Sequence, residues 1–259
     1  MELPLITRIV NEEQPLKIDV MVDGDTRIGY MTPITKSSVD DTELLDKMTA
    51  WRNRMRKCFL TQAAVSVEKT RAFLVSSVLK DPTRMLFIVH SLKQPVGTLG
   101  VKVGPPWVHG AGPRDCEQNT LQLAELVNLL RGSRDGHPKL MYQAEMALMD
   151  WAFHELNVDV FWTAVASNNR LALTLFESAG FKRTQLIPLY KVEKEGAAQL
   201  VPGAPGAESP DGLYAQRIEL DRSEFMQRRH ALMEKATYGT PRRKACGTSP
   251  AEGAVLASD

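Results

Sequence analysis

One stretch of sequence decides the fold: Asn169-Arg170-Leu171-Ala172-Leu173-Thr174-Leu175-Phe176-Glu177-Ser178-Ala179-Gly180-Phe181. Its apolar residues recur at helical spacing, and a glycine directly after them is typical of a helix end. We expect Ser167 or Asn168 to cap this helix. Strands are predicted on either side, over Val158 to Ala166 and Lys182 to Val192. The helix therefore connects two strands.

Upstream of this unit, the sequence predicts another strand and another helix. The strand covers Thr120 to Leu130, and a polar turn from Arg131 to Gly136 follows it. The helix covers Pro138 to Leu156, because its apolar residues share one face, namely Leu140, Ala144, Leu148, Trp151 and Ala152. The centre of the chain is therefore β-α-β-α-β, an order typical of an α/β domain.

The first third predicts a hairpin, two helices and two antiparallel strands. The hairpin surrounds Asp23-Gly24-Asp25, with strands over Leu16 to Val22 and Arg27 to Met31. The helices cover Thr42 to Arg56 and Ser66 to Leu79. The second pair of strands covers Met85 to His90 and Pro95 to Val103. We interpret residues 1–38 as an N-terminal extension of a domain that spans residues 39–238.

The C-terminal part predicts a loop, a strand, a helix and a tail. Residues 195–212 are rich in Ala, Gly and Pro and indicate a loop insertion. A last strand over Leu213 to Leu220 and a helix over Arg222 to Lys235 follow. Residues 239–259 are small and polar, so we expect disorder there.

Composition narrows the function classes. The 259 residues include three cysteines, Cys58, Cys116 and Cys246, whose spacing does not suit a zinc site. The formal net charge of +1 gives no large field that would attract nucleic acid or an anionic membrane. The sequence has no apolar run long enough for a membrane span and no signal-peptide pattern. We expect a cytoplasmic protein without a metal that binds neither nucleic acid nor membrane.

The quoted stretch resembles the N-x-x-A-x-x-L-(Y/F)-x-x-x-G-F pattern of the GNAT superfamily of acyltransferases. The resemblance covers about Leu44 to Leu220. Trp51-Arg52-Asn53, Asp81 to Val89 and Pro95-Val96-Gly97 are similar to the RimJ/RimL branch, and within it to bacterial N-acetyltransferases of amino-sugar nucleotides. The resemblance implies an α/β (α+β) GNAT fold, with a mixed, mostly antiparallel sheet that is splayed at the cofactor site and flanked by helices.

The resemblance also implies a site for coenzyme A. A turn before a helix presents N–H groups to a pyrophosphate, and basic side chains add positive charge. In the family, the backbone of the preceding strand binds the pantetheine arm. Two positions depart from the family pattern, since Ser133 replaces Arg or Gln and Pro138 replaces a small residue. The expected cofactor-binding residues are Leu129, Leu130, Arg131, Ser133, Arg134, Gly136, His137, Pro138, Lys139, Asn169 and Phe176.

Glu125 is the expected general base, because it is the one acid on the strand that the resemblance assigns to the cofactor. His109 is its rival, and it is also an expected acceptor-binding residue together with Trp51, Arg52 and Asn53. Phe176 stands where many relatives have a tyrosine that protonates the departing thiolate. Phenylalanine has no proton to donate, so the general acid stays open.

The resemblance implies transfer of an acyl group from acetyl-coenzyme A, or another acyl-coenzyme A, to a primary amine. The acceptor is a small molecule in the leading hypothesis, and an amino-sugar nucleotide is one candidate. Two alternatives stay open: acetylation of protein N-termini or lysines, and a regulatory module that binds acyl-coenzyme A without catalysis. The oligomeric state is open too, with a homodimer as one option.

Overall fold

A nine-stranded sheet organises the residues that the computed structural model describes, which are 3–104, 121–194, 197–204 and 206–229. The strand order is β1-β2-β3-β4-β5-β6-β9-β7-β8. In chain order the strands are β1 Ile18–Val22, β2 Thr26–Pro33, β3 Arg84–Ser91, β4 Pro95–Val103, β5 Leu123–Arg131, β6 Val160–Ala166, β7 Lys182–Lys194, β8 Ala197–Pro202 and β9 Tyr214–Asp221.

Six helices accompany the sheet in these described ranges. They are α1 Pro4–Val10, α2 Thr42–Arg54, α3 Val67–Phe73, α4 Leu140–Glu155, α5 Arg170–Ala179 and α6 over residues 222–229. Helix α3 continues as a π-helix over Leu74–Leu79. Two short 3-10 turns lie at Ser37–Val39 and Arg56–Cys58. The predicted helices are confirmed where they are described, whereas α1 was not predicted.

The sheet is mixed and mostly antiparallel, as predicted. Its described strand pairs are antiparallel apart from β5 with β6, which are parallel. Parallel neighbours need a crossover, and α4 supplies it on one face of the sheet. Strand β9 then inserts between β6 and β7. This connectivity places one parallel joint in the middle of the sheet.

The N-terminal hairpin is an edge of this same sheet. Strands β1 and β2 pair as the sequence predicts, and β2 also pairs with β3 from Gly29↔Ser91 to Pro33↔Phe87. Helix α1 buries Ile6, Ile9 and Val10 in the main core. The residues predicted as an extension therefore contribute two strands and a helix to the central architecture.

The two faces of the sheet carry different helices. Helices α1, α4 and α5 share the larger core, which includes Phe153, Phe161 and Phe176. Helices α2 and α3 cover the other face through a second core, which includes Leu45, Trp51 and Leu130. We call these the α4 face and the α2 face. Strand β5 can be reached from both faces, and the candidate site described below lies on this strand.

Two local predictions are wrong. The cap of α5 is Asn169 rather than Ser167 or Asn168, because the Asn169 Oδ1 accepts a hydrogen bond from the Ala172 N–H at 3.2 Å. Residues 197–202, predicted as part of a loop, form β8, since their backbone pairs with β7 from Leu189↔Pro202 to Lys194↔Ala197. Pairing with an existing strand outweighs the low strand preference of Ala and Pro.

No helix in the described part of the chain is both long and apolar enough to cross a lipid bilayer.

Candidate active site

The centre of the site is a fork between β5 and β6. The two strands pair only over Leu123↔Val160, Ala124↔Phe161 and Glu125↔Trp162. At the base of the fork, the buried Thr163 Oγ1 donates a hydrogen bond to the Leu126 carbonyl at 3.1 Å. Beyond this point, the β6-facing edge of β5 has no strand partner among the described residues. The fork therefore exposes backbone polar groups in the middle of a sheet, and the predicted splay is confirmed.

A bulge on β5 lies beside the fork. The register with β4 passes from Gly100↔Val127 to Thr98↔Leu130, so Asn128 and Leu129 oppose a single residue. Asn128 has φ 53°, and its carbonyl accepts from Thr98 Oγ1 at 2.9 Å. Such a bulge shifts the alternation of side chains. Leu126 accordingly packs in the core of the α4 face, whereas Leu130 packs under α2.

Arg131 organises the turn that follows β5. Its guanidinium donates three hydrogen bonds, from Nε to the Ser133 carbonyl at 3.0 Å, from Nη1 to the Pro138 carbonyl at 3.2 Å, and from Nη2 to the Arg134 carbonyl at 3.2 Å. A guanidinium has five N–H donors, so these bonds occupy most of its capacity. Arg131 thus holds the shape of the turn from inside and keeps its positive charge there.

The N–H groups of the turn divide into two sets. Those of Gly132 and Ser133 both donate to the Val96 carbonyl, at 2.7 and 2.9 Å. Those of Arg134, Gly136 and His137 have no acceptor among the described residues. Gly136 adopts φ 83°, which favours glycine. Three N–H groups directly before α4 therefore remain available to an anion.

Polar side chains brace the turn, and basic ones extend from it. Ser133 Oγ donates to Asp135 Oδ2 at 2.5 Å and accepts from the Asp135 N–H at 3.1 Å. His137 Nδ1 accepts from the Lys139 N–H at 3.2 Å. Pro138 and the basic residues Arg134 and Lys139 are exposed. The two exposed basic side chains form no ion pair within the described residues, so they retain their charge for a ligand.

Helix α2 covers the turn from the other side. The Trp51 ring lies so close to Gly132 that a Cβ on this glycine would stand 2.0 Å from ring atom Cδ2. Arg54 Nη2 donates to the Gly132 carbonyl. Trp51 was predicted to bind the acceptor, and the structure places it in the core, 7% exposed. Arg54, which the sequence patterns did not single out, is the α2 residue that hydrogen-bonds to the turn backbone.

Arg52 and Asn53, also predicted to bind the acceptor, hold the loop after α2. Asn53 exchanges two hydrogen bonds with the Val65 backbone, at 2.9 and 2.8 Å. Arg52 donates to the Thr61 carbonyl and lies 3.9 Å from the centre of the Phe59 ring. Burial lowers the pKa of its guanidinium. The structure thus gives both residues partners within the protein, and their contact with an acceptor stays a prediction.

The same loop joins the far edge of the sheet. Leu200 N–H donates to the Leu60 carbonyl at 2.8 Å, and Gln62 N–H donates to the Ala198 carbonyl at 3.1 Å. Leu60 and Leu200 pack with Ile187 and Leu189 in a third small core. The loop over residues 59–66 thus joins β8 at the edge of the sheet opposite β1.

Glu125 lies on β5 at the base of the fork and is half-buried. Its neighbours Ala124 and Leu126 pack in the core of the α4 face, so Glu125 points to the α2 face. Its cross-strand neighbours are Lys102 on β4 and Trp162 on β6. The position combines a carboxylate with an adjoining opening between strands, which is what a base for an incoming acceptor needs.

Phe176 and Asn169, predicted to border the cofactor, lie on α5. Phe176 is 4% exposed and packs edge to face against Phe181, with ring centres 5.2 Å apart. The Asn169 side chain caps its own helix, as described above. Leu129 is half-buried at the bulge, on the α4 side of the fork. The predicted turn and the predicted helix thus follow the ends of β5 and β6, the two strands that form the fork.

Glu145 is a second acid that the sequence analysis missed. It belongs to the sheet-facing stripe of α4, is fully buried, and neither carboxyl oxygen has a hydrogen-bond partner among the described residues. Burial raises the pKa of Glu145 to about 8. The signal was present in the sequence, since an acid lies one turn after Met141 in an otherwise apolar stripe.

One expected site residue lies outside the part of the chain that the structure describes. His109 lies outside the described residues. Among those that are described, no group of three or more His, Cys, Asp or Glu side chains is arranged to hold a metal ion.

Comparison with solved structures places this architecture. The crystal structure of an aminoglycoside acetyltransferase, AAC(6')-Ib, in complex with coenzyme A has a TM-score of 0.52 and 18% identity, over 77% of this chain and 98% of that one. The chain has the GNAT fold. Spermidine N-acetyltransferase from Vibrio cholerae, in complex with coenzyme A and spermine, gives 0.51 and 14%, over 76% and 96%.

The GNAT fold is shared with a protein-modifying enzyme as well. RimL, a ribosomal L7/L12 α-N-protein acetyltransferase in complex with coenzyme A, has a TM-score of 0.51 and 14% identity, over 80% of this chain and 98% of that one. Neither a protein-family model nor a curated protein sequence matches this chain. The fold is therefore identified by structural similarity alone. The neighbours with this fold have substrates of different kinds.

Proposed function

We propose that this protein is an acyl-coenzyme A-dependent N-acyltransferase that transfers the acyl group directly to a primary amine. The main observation behind this proposal is the fork. The open edge of β5 leads into a turn that has three available N–H groups before α4. The three neighbours named above were solved with coenzyme A, which supports a coenzyme A thioester as donor. Acetyl-coenzyme A is the simplest such donor.

The turn fits a pyrophosphate. The N–H groups of Arg134, Gly136 and His137 precede the N-terminus of a helix of 16 residues, where the helix dipole favours an anion. Arg134 and Lys139 add mobile positive charge from the rim. Arg131 contributes through the carbonyls that it holds, rather than as an outward-pointing ligand. A site built in this way does not need Arg or Gln at position 133 or a small residue at position 138, where Ser133 and Pro138 depart from the family pattern.

The fork fits the extended arm of the donor and the reacting thioester. Backbone groups of β5 beyond Leu126 face an opening rather than a partner strand, so they can exchange hydrogen bonds with an extended ligand. An N–H that faces the thioester carbonyl would stabilise the negative charge that develops on its oxygen. The bulge at Asn128 and Leu129 positions this backbone where the strand is least regular.

Glu125 is the proposed general base. It approaches the opening from the α2 face and receives the proton of the attacking amine, directly or through a water. An amine that is protonated in solution must lose this proton before its nitrogen can attack. The role of base does not require a metal, because a carboxylate can accept the proton of the amine itself.

Phe176 removes one donor for the leaving group without preventing catalysis. A general acid supplies roughly 10²-fold to 10⁴-fold, or about 3 to 5 kcal/mol. Holding two substrates together supplies about 7 to 11 kcal/mol. The larger contribution is retained in the proposed site.

The acceptor is proposed to be a small-molecule amine. Spermine and aminoglycosides bind to neighbours with this fold, whereas RimL acts on a protein. An amino-sugar nucleotide is one candidate of this class.

Thiol release tests the proposed function. Purified protein, acetyl-coenzyme A and an amine panel are combined, and free thiol is measured. The panel contains polyamines, aminoglycosides, amino-sugar nucleotides and peptides. Release with a small amine supports the proposal, and release with peptides alone selects the protein acetyltransferase alternative. Binding of acetyl-coenzyme A in calorimetry, without release of free thiol with any acceptor, would favour the regulatory module. The observation that motivates this alternative is Phe176, which is buried and has no proton to donate.

A further inference from the structure

Two consecutive residues of the loop after α2 pack against different hydrophobic cores. Phe59 packs against the core under α2, to which the sheet contributes Leu86 and Ile88 of β3 and Leu130 of β5. Leu60 packs against the third small core. The sheet residues of that third core belong to β6, β7, β8 and β9, namely Ala164, Ile187, Leu189, Leu200 and Ala215. The chain therefore passes from one core to the other between Phe59 and Leu60.

Both cores lie on the α2 face, on opposite sides of the fork. On β6, Phe161 and Val165 belong to the large core of the α4 face, so Ala164, which alternates with them, points to the α2 face. We call β1 to β5 the β5 side and β6 to β9 the β6 side. Leu130 and Ala164 both lie beyond Glu125↔Trp162, the last described pair of β5 with β6. The two cores that the loop connects thus flank the open part of the fork.

Side chains of α2 hold this loop on the β5 side. Asn53 Nδ2 donates to the Val65 carbonyl at 2.9 Å, and Asn53 Oδ1 accepts from the Val65 N–H at 2.8 Å. Arg52 donates to the Thr61 carbonyl, and its guanidinium lies 3.9 Å from the centre of the Phe59 ring. Both α2 residues therefore fix the segment that leads from one core to the other.

Backbone pairing with β8 holds the same segment on the β6 side. The Leu60 carbonyl accepts from the Leu200 N–H at 2.8 Å. The Gln62 N–H donates to the Ala198 carbonyl at 3.1 Å. Residues 59–62, which we call the clasp, are thus fastened to α2 at one end and to β8 at the other.

We propose that the clasp sets the width of the fork, and that Asn53 is the positioning residue that fastens it to α2. This inference rests on the proposed function, in which the fork binds the extended arm of the donor. Beyond Glu125↔Trp162, no described strand pairing fixes the distance between β5 and β6. The clasp supplies a second connection between the two sides. A fork that is held at the right width binds its ligand more tightly, because less ordering remains to be done on binding.

Coupling between the clasp and the fork must be reciprocal. If a closed clasp favours binding of acetyl-coenzyme A, bound acetyl-coenzyme A favours the closed clasp by the same factor. The N–H groups of Gln62 and Leu200 report closure, because they exchange with solvent only when their hydrogen bonds open. In wild-type protein, acetyl-coenzyme A should slow hydrogen exchange at both groups. Clasp opening that did not affect the fork would give the same exchange rates with and without ligand.

Two substitutions open the clasp from opposite ends. Asn53→Ala releases it from α2, and Gln62→Pro removes the N–H that donates to the Ala198 carbonyl. In each, we expect the calorimetric Kd of acetyl-coenzyme A to rise on the order of tenfold. The titration contains no acceptor, so an acceptor contact of Asn53 cannot affect it. Ser66→Ala is the matched control. It removes the bond from the Lys69 N–H that caps α3 in the same loop, but it leaves the clasp intact, so Kd should not change.

A disulfide should close the clasp again. Thr61 and Gln199 form an antiparallel bridge whose backbone hydrogen bonds are made by the flanking residues. The Cα atoms of such a pair are about 4.5 Å apart, which suits a disulfide. Thr61→Cys and Gln199→Cys are added to Gln62→Pro, in a chain whose native cysteines are replaced by serine. Oxidation should restore most of the lost affinity for acetyl-coenzyme A, and reduction should remove it again.

Three results would each overturn the inference. They are wild-type Kd in folded Asn53→Ala and Gln62→Pro, no recovery of affinity on oxidation, and exchange at the Gln62 and Leu200 N–H groups that does not respond to acetyl-coenzyme A. The exchange measurement uses wild-type protein, so it decides the question even where a variant does not fold. Failure of wild-type protein to bind acetyl-coenzyme A would overturn the proposed function, and this inference with it.

Discussion

The Trp51 ring lies directly on the backbone of Gly132, the second residue of the turn, and leaves no space for a side chain there. A Cβ at position 132 would stand 2.0 to 2.3 Å from three ring atoms. Helix α2 and the turn are therefore fitted to each other at this one contact, beside the hydrogen bond from Arg54 to the Gly132 carbonyl.

Gly132→Ala should shift this contact and damage the proposed pyrophosphate site. Overpacking of this kind costs about 1 to 3 kcal/mol, so thermal melting should show a lower Tm. Calorimetry should show weaker binding of acetyl-coenzyme A, because the turn moves with its N–H groups. Trp51→Leu in the same chain should restore part of the loss by making room. If Gly132→Ala alone had wild-type Tm and wild-type affinity for acetyl-coenzyme A, the close contact between Trp51 and Gly132 would be contradicted.

Arg131 and the two exposed basic residues should respond differently to substitution by alanine. Arg131→Ala removes three hydrogen bonds to carbonyls of the turn, at about 0.5 to 1.5 kcal/mol each, so it should lower both Tm and cofactor affinity. Arg134→Ala and Lys139→Ala should leave Tm unchanged and weaken binding mainly at low salt, since exposed charges are screened. Equal losses of Tm in all three variants would contradict the interpretation that Arg131 holds the turn while Arg134 and Lys139 only extend from it.

Glu125→Gln should report the proposed base. We expect kcat/KM to fall on the order of a hundredfold or more at neutral pH, with acetyl-coenzyme A affinity retained. The loss should shrink toward pH 9, because the free amine accumulates without help. Wild-type turnover across pH 6.5 to 9 with a verified acceptor would exclude Glu125 and leave His109 or a water as base.

Glu145→Met should stabilise the protein, because it removes a buried carboxyl that has no hydrogen-bond partner among the described residues. Burial raises the pKa of Glu145 from 4.5 in the reference state to about 8. Between these values the folded state keeps a proton that the unfolded state has lost, so the free energy of unfolding falls as pH rises. The Tm gain of Glu145→Met over wild type should therefore be larger at pH 8 than at pH 5. A gain that does not change with pH would contradict the assigned pKa.

Phe176→Tyr tests the packing of α5. Phe176 is buried against Phe181, so a tyrosine hydroxyl there needs a partner in the core. We expect a lower Tm. The free energy of unfolding should fall by up to about 1 to 3 kcal/mol if the hydroxyl finds no partner. Activity should be preserved or raised if the hydroxyl reaches the fork. An intact fold that no longer binds acetyl-coenzyme A would show that the pocket lies elsewhere.

The sequence was sufficient for most of the architecture because its signals are local. Periodicity placed α2 to α5, and Gly180 marked the end of α5 through its left-handed backbone, φ 108°. Strand β8 was missed because its composition resembles a loop and its order comes from β7. Helix α1 is short, and its amphipathic pattern covers only seven residues.

The site was less predictable than the fold because side-chain partners come from distant segments. The basic residues of the turn could be found by type, but the sequence does not reveal that Arg131 turns inward while Arg134 turns outward. Trp51, Arg52 and Asn53 were predicted to bind the acceptor, and the structure shows in addition that they hold a turn and a loop, which the sequence does not reveal. Glu145 was visible as an acid in an apolar stripe, but only the fold shows that its carboxyl is fully buried and has no hydrogen-bond partner among the described residues.

The fork also divides the sheet mechanically. Strands β1 to β5 form one half and β6 to β9 the other, and in the described part of the chain the strand pairing between the halves runs only from Leu123↔Val160 to Glu125↔Trp162. An extended molecule seated in the fork would bond to the free edge of β5 as an additional strand does, and so would bridge the two halves. Occupancy of the fork should then raise the cooperativity of unfolding, because the bound molecule would join the two halves of the sheet along more of their length.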